Sequence, residues 1–279
     1  MITGQRVVLS DNAVLSDLSR SVGDLFSSTS TLAIVAAEDA LFLGSDQPFN
    51  HRYFKVSTAN TSASVASVSI WTGSAFVPAV DVIDFTSVAG KTLAASGIIQ
   101  WTTSRTSGWS RASDSANVTG LTGTAIYDMF WVKITFSADL LASTAVSYIG
   151  HKFSDDSLMG GYYPDLLRSK VMTAYTSGKT SWDEQHVLAS EELIRDLRKR
   201  RYVSSGSEVF DWELFAVPSM HKCAAIIMGG MGEDYADRVI DAQESYQNQL
   251  ENTLAGLDRN NDGRLSTQER KPVVGIRRV

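Results

Sequence analysis

A single cysteine, Cys223, stands in a chain of 279 residues, so neither an intrachain disulfide nor a thiolate zinc cluster can be built from it. Assembly in a reducing cytoplasm fits that composition. Nowhere do about twenty consecutive apolar residues occur, which is what a transmembrane helix needs. The first residues, Met1-Ile2-Thr3-Gly4-Gln5-Arg6, lead into polar sequence rather than the apolar core of a secretory signal. Positive charge is in the minority: 25 Lys and Arg against 31 Asp and Glu leave a net charge of -6. That is the wrong sign for a dedicated nucleic-acid binder. Catalytic signatures are missing as well, with no H-E-x-x-H and no G-x-S-x-G. His51, His151 and His186 are scattered singly, while His221 and Cys223 lie two apart on an expected helix and so point in different directions. The expectation is a protein that is not an enzyme and has no membrane partner.

What is present is ordinary folded composition, 43% hydrophobic and 20% charged, in a chain long enough for two domains. Residues 1–30 read as an N-terminal segment with a short helix over 11–26, because Val14, Leu15, Leu18, Val22 and Leu25 recur at spacings of three and four. Residues 31–148 change to Ser, Thr, Gly, Val and aromatics with few charges, which is strand composition. Phe130, Val132, Ile134 and Phe136 alternate with Trp131, Lys133 and Thr135 in the clearest strand, residues 128–136. Residues 68–71 and 76–80 fit a hairpin closed through Thr72-Gly73-Ser74, and residues 93–101 a further strand. Several short strands without intervening helices predict an antiparallel β-sandwich or jelly roll.

Residues 149–257 change to a period near 3.6 and carry more charge. Ser181-Trp182-Asp183-Glu184 has the S-x-x-E form of a capping box, followed by an apolar stripe of Val187, Leu193, Ile194 and Leu197. The helix runs into Arg198-Lys199-Arg200-Arg201, where positive charge complements the macrodipole. A second helix opens near Pro218-Ser219 and is apolar almost all round, as a buried helix should be. Gly229-Gly230 breaks it, and residues 233–254 form a last helix with Val239, Tyr246, Leu250 and Leu254 on one side. The fold expected is two-domain α+β, a sandwich followed by a helical domain that ends in a calcium loop.

That loop occupies residues 258–279 with the tail. Asp258-Arg259-Asn260-Asn261-Asp262-Gly263-Arg264-Leu265-Ser266-Thr267-Gln268-Glu269 fits the EF-hand pattern position by position. Calcium wants six to eight oxygens. The spacing offers the side chains of Asp258, Asn260 and Asp262, the Arg264 carbonyl, Ser266 through water, and bidentate Glu269. The stretch resembles the EF-hand family, yet it is one loop where EF-hands pair, and Pro272 cuts the exiting helix short. A static structural Ca2+ is therefore expected rather than a switch.

Weaker signals have plainer readings. Arg198 to Arg201 can touch DNA phosphates, though such a run is commonly a solvated helix end. Gly229-Gly230-Met231-Gly232 lacks phosphate-loop spacing. Trp71, Trp101, Trp109 and Trp131 can form either a sugar platform or a core.

The run Ser69-Ile70-Trp71-Thr72-Gly73-Ser74-Ala75-Phe76-Val77-Pro78, followed by Ser96-Gly97-Ile98-Ile99-Gln100-Trp101, resembles β-modules common in tailed-phage virion proteins. The stretch from Tyr162-Tyr163-Pro164 through Ser181-Trp182 to Leu214-Phe215-Ala216-Val217-Pro218-Ser219 resembles helical head-to-tail connector, or adaptor, subunits. These resemblances imply a structural subunit of the virion neck, an adaptor or collar assembled in the host cytoplasm. Its implied partners are copies of itself in a ring, the portal or other neck and tail proteins, and non-specifically the packaged DNA. The alternative is a tail-associated sandwich that recognises host glycan.

Overall fold

The computed structural model describes residues 4–25, 29–102, 108–112, 118–124 and 128–255. The chain divides into two compact units. One comprises Met1–His151 and Arg200–Phe210; the other comprises Lys152–Lys199 and the described residues from Asp211 on.

The first unit is built from β1 (Gln5–Asp11), β2 (Val14–Asp17), a single helical turn α1 (Ser19–Val22), β3 (Ser30–Thr31), β4 (Ala40–Ser45), β5 (His51–Thr58) and β6 (Ala66–Trp71). It continues with β7 (Phe76–Pro78), β8 (Val80–Asp84), β9 (Gly97–Thr102), β10 (Arg111–Ala112), β11 (Met129–Phe136) and β12 (Ala145–Gly150). They form a seven-stranded sheet in the order β2-β1-β4-β11-β6-β7, with β10 also on β11, and a five-stranded sheet in the order β3-β12-β5-β9-β8. Every strand pair is antiparallel.

Period-two alternation supplies the core. Val7 and Leu9, Leu41 and Leu43, Val68 and Ile70, and Val132 and Ile134 come from the larger sheet; Phe54, Ile99, Val146 and Ile149 come from the smaller, and all belong to one buried cluster. The opposite face of the larger sheet is buried too, where Val8, Phe42, Trp71 and Trp131 pack with Val118 and Leu121. Double-sided burial explains why β4, Ala-Leu-Phe-Leu-Gly-Ser, is buried at every position and shows no alternation.

The helix expected over residues 11–26 is not formed. Asn12 and Ala13 both take positive φ, 46° and 63°, and close a two-residue hairpin in which Asp11 pairs with Val14. Only Ser19–Val22 is helical. Residues 14–17 are extended instead because they pair with β1, and the spacing of three and four does not mark a buried face: Val22 is buried, whereas Val14 is 66% exposed. The Trp71/Phe76 hairpin does form, with Gly73 at φ 95°. Its second strand ends at Pro78, and Val80 begins a strand of the other sheet.

The second unit holds α2 (Asp156–Tyr162), α3 (Ser169–Tyr175), α4 (Asp183–Lys199), α5 (Ala216–Gly229) and α6 (Ala236–Ala255). The α4 stripe Val187, Leu193, Ile194 and Leu197 is buried, as are nine residues of α5. Helix α4 starts at Asp183 rather than with a Ser181 cap; the backbone N–H of Trp182 donates to Asp156, and Glu184 pairs with Lys179 at 2.9 Å. Helix α5 starts two residues before Pro218, which sits in the first turn, where a missing N–H costs nothing. Tyr246, Leu250 and Leu254 of α6 are buried, with Val239 half-buried. The architecture of the described residues is therefore α+β, two antiparallel sheets and a set of helices.

Candidate functional site

The expected calcium ligands Asp258, Asn260, Asp262, Arg264, Ser266 and Glu269 lie outside the described residues. Among the described residues no group of three or more His, Cys, Asp and Glu is arranged to hold a metal, and no helix is long and apolar enough to cross a membrane.

Helices α2, α4 and α5 and the segment that leads into α2 bring together Ser154, Asp156, His186, Ser190 and Ser219. The Oγ of Ser154 is 2.8 Å from Nδ1 of His186, and Nε2 of His186 is 3.2 Å from Asp156. With Nε2–H donating to the carboxylate, Nδ1 accepts from the serine hydroxyl. These are the residue types of a hydrolase triad, so the geometry must decide. A nucleophile needs solvent access and room for a reacting atom. Here Ser154 is buried, His186 is fully buried, and the Ser154 oxygen is also 3.1 Å from Ser219. Ser190 donates to the His186 carbonyl at 2.9 Å and accepts the Phe153 N–H at 2.9 Å. Asp156 also receives the Trp182 N–H. The network satisfies buried backbone and side-chain groups where three helices begin or meet, and its chemistry is structural.

The β unit contains a second buried cluster. His51 on β5 and His151, just after β12, are not isolated as their sequence positions imply: their rings stand 5.6 Å apart, edge to face, and both are buried. Next to His51 in the chain is Arg52, fully buried, its guanidinium 3.9 Å over the Phe49 ring. Arg52 donates to the His51 carbonyl at 2.8 Å and to Ser207 Oγ at 2.8 Å. Ser207 is 2.6 Å from Ser45 Oγ. Asn50 links His51 Nδ1, at 2.9 Å, to the Phe210 carbonyl, to which its amide donates at 2.9 Å. Burial, with the Arg52 charge adding to it, pushes His51 down to about 3. His151 is pushed well below its ordinary value by burial, then by Arg52 and His51. One signal is legible in the sequence: His51-Arg52 interrupts an aromatic run, Phe49 to Phe54, where a charge is expensive unless something is built around it.

Other candidates resolve simply. His221 accepts or donates at 2.8 Å to the Tyr163 hydroxyl and lies edge-on to the Tyr162 and Tyr163 rings. Cys223 is buried, which raises its thiol well above the usual value and makes it inert. Trp71, Trp101 and Trp131 are core, not platform. Gly230 ends α5, where a β-carbon would stand 2.6 Å from the Tyr175 ring. Beside it is an open cleft of about 420 Å³, lined by Lys170, Val171, Tyr175, Met231 and Tyr235. No family model matches the chain, and neither a curated protein nor a solved structure is similar to it.

Proposed function

We propose that this chain is a structural, non-catalytic subunit of a tailed-bacteriophage virion, a head-to-tail connector or neck ring protein of the adaptor or collar kind. The observation that carries the reading is how the two resemblances sort onto the two compact units. Ser69 to Pro78 is the β6–β7 hairpin and Ser96 to Trp101 contains β9, all within the β unit. Tyr162, Trp182 and Leu214 to Ser219 fall on α2, the start of α4 and the entry to α5, all within the helical unit. In this reading the two sheets, which share one core, form a β-sandwich.

The ring closes through heterologous contacts between copies, and Tyr162, Leu214 and Ile240, each more than half exposed on the helical unit, are apolar surface for them. Portal or other neck and tail proteins are the remaining partners. Arg198 and Lys199, exposed at the end of α4, suit non-specific contact with packaged DNA. A structural calcium at Asp258 to Glu269 completes the proposal. The glycan-binding alternative is weakened because three of the four tryptophans of its platform are buried. Mass measurement of the purified chain over a concentration range, alone and with portal protein, tests the reading: a ring or a portal complex supports it, and a strict monomer that binds neither overturns it.

A further inference from the structure

The helical unit carries an apolar knob before one end of α5 and an open cleft at the other. Ahead of the helix, Trp212–Phe215 form a 3-10 turn whose Leu214 is 51% exposed, with Asp211 and Glu213 exposed beside it. Past the helix, at Gly230 and Met231, lies the cleft of about 420 Å³, a size that falls in the range of about 300–1,000 Å³ common for binding pockets. One wall is α3, whose Lys170, Val171, Ala174 and Tyr175 recur at the spacing of a single helical face. Tyr235 lines the cleft as well. These walls are set in advance. The Tyr175 ring stands edge-on to the buried Trp182, 5.1 Å away, and packs over Gly230, where a β-carbon would meet it at 2.6 Å. Arg238, bonded to Asp165 at 2.6 Å, lies 5.6 Å over the Tyr235 ring.

We propose that Leu214 of one copy seats in this cleft on the next copy, with Asp211 and Glu213 set against Arg168 and Lys170, so that helical units join head to tail. The inference rests on the ring reading and deepens it by naming the two surfaces that meet. The 14 residues of α5 span about 21 Å. Leu214 therefore cannot fill the cleft of its own chain, and a second copy supplies it. A knob and a pocket at opposite ends of one body make a heterologous contact, which repeats from copy to copy until it closes a ring.

Charge selects the occupant and its direction. Arg168 and Lys170, both exposed at the start of α3, give that wall a positive edge, and the knob is acidic on both sides of Trp212. Glu233 and Asp234, exposed just before Tyr235, repel the same acids. The knob accordingly enters with its carboxylates toward α3. Rim charges of this kind fix orientation more than affinity. Burial of Leu214 against Val171, Met231 and the tyrosine rings supplies the attraction. The other exposed apolar residues of the unit fit less well: Ile240 lies five residues after Tyr235, near the cleft's own end, and Tyr162 lies edge-on to His221.

The test is disulfide trapping in the full chain, with and without portal protein. Leu214→Cys and Ala174→Cys, the latter in the cleft wall, are made in separate chains; the native Cys223 is buried and does not compete. Mixed under mild oxidation, the two should give a covalent dimer that neither gives alone, and a chain carrying both should give a ladder of covalent oligomers. In sedimentation over a concentration range, Leu214→Ala should weaken association about tenfold or more. Glu213→Lys and Lys170→Glu should each weaken it about threefold, and the chain with both reversals should recover. Copies that assemble, alone or on portal, yet give no mixed dimer overturn this contact and leave the ring reading standing, as do Leu214→Cys chains that link to one another. A chain that stays monomeric and binds no portal overturns both. Single reversals that assemble like wild type refute the pairing of Lys170 with the acidic knob.

Discussion

Trp131 and Gly44 are cross-strand partners on β11 and β4, and the indole lies so close to the glycine that a β-carbon built there would stand 2.9 Å from the ring. Gly44 is thus the floor of the pocket that buries Trp131 completely on the outer face of the larger sheet. Gly44→Val should destabilise the β unit by about 1–3 kcal/mol through overpacking, whereas Gly123→Ala, where the added carbon meets nothing within 4 Å, should cost only the strain of its positive φ. Urea denaturation followed by tryptophan fluorescence measures both.

The Ser154–His186–Asp156 network is expected to matter for stability and not for turnover. Asp156→Ala leaves the Trp182 N–H and His186 Nε2–H without their acceptor. Each unsatisfied buried donor costs about 1–3 kcal/mol, so a clear drop in melting temperature should follow. Hydrolysis of an activated ester by wild type should be no faster than by Ser154→Ala. A faster wild type would mean that the network is catalytic.

Acid should weaken the β unit well before its carboxylates protonate. Both buried imidazoles bind protons less readily in the folded chain than in the unfolded, whose value is near 6.5. Their contribution is therefore complete above about pH 6.5 and is lost as the pH falls from there toward the folded value of about 3 for His51. The slope within that window is about 1.4 kcal/mol per pH unit for each histidine. Asp165 acts in a different range: the hydrogen bond from Arg238 holds it below 3.8 against a smaller effect of burial, so its contribution goes only under about pH 4. Denaturation curves at pH 8, 6 and 5 for wild type and for a variant carrying both His51→Gln and His151→Gln check the assignment.

For the loop from Asp258 to Glu269, calcium should raise the melting temperature of wild type relative to chelator. A cation that binds only the folded chain contributes about 2.7 kcal/mol at a hundredfold excess over its dissociation constant. Asp258→Ala and Glu269→Ala should lose the shift. Equal melting with and without calcium, together with no binding by titration, would make the loop an acidic turn.

Strands with one buried face were legible in the sequence. Val132, Ile134 and Phe136 alternate and are buried in the shared core, and the α4 stripe obeys its period because one side meets α5. What was illegible depends on the third dimension. The hairpin at Asn12-Ala13 hides under a helical spacing because β2 pairs with β1, itself a strand held on its other side by β4. His51 and His151 are a hundred residues apart and become neighbours only because β5 pairs with β12. The return of residues 200–210 to the β unit has no local signal except Ser205 and Glu208, a capping pair in what otherwise reads as a linker.

The central proposal is tested most directly by electron microscopy of phage particles carrying a gold label on this chain. The account predicts label at the head–tail junction, arranged as a ring. Label confined to the tail tip, or particles that assemble without any of this chain, would contradict it.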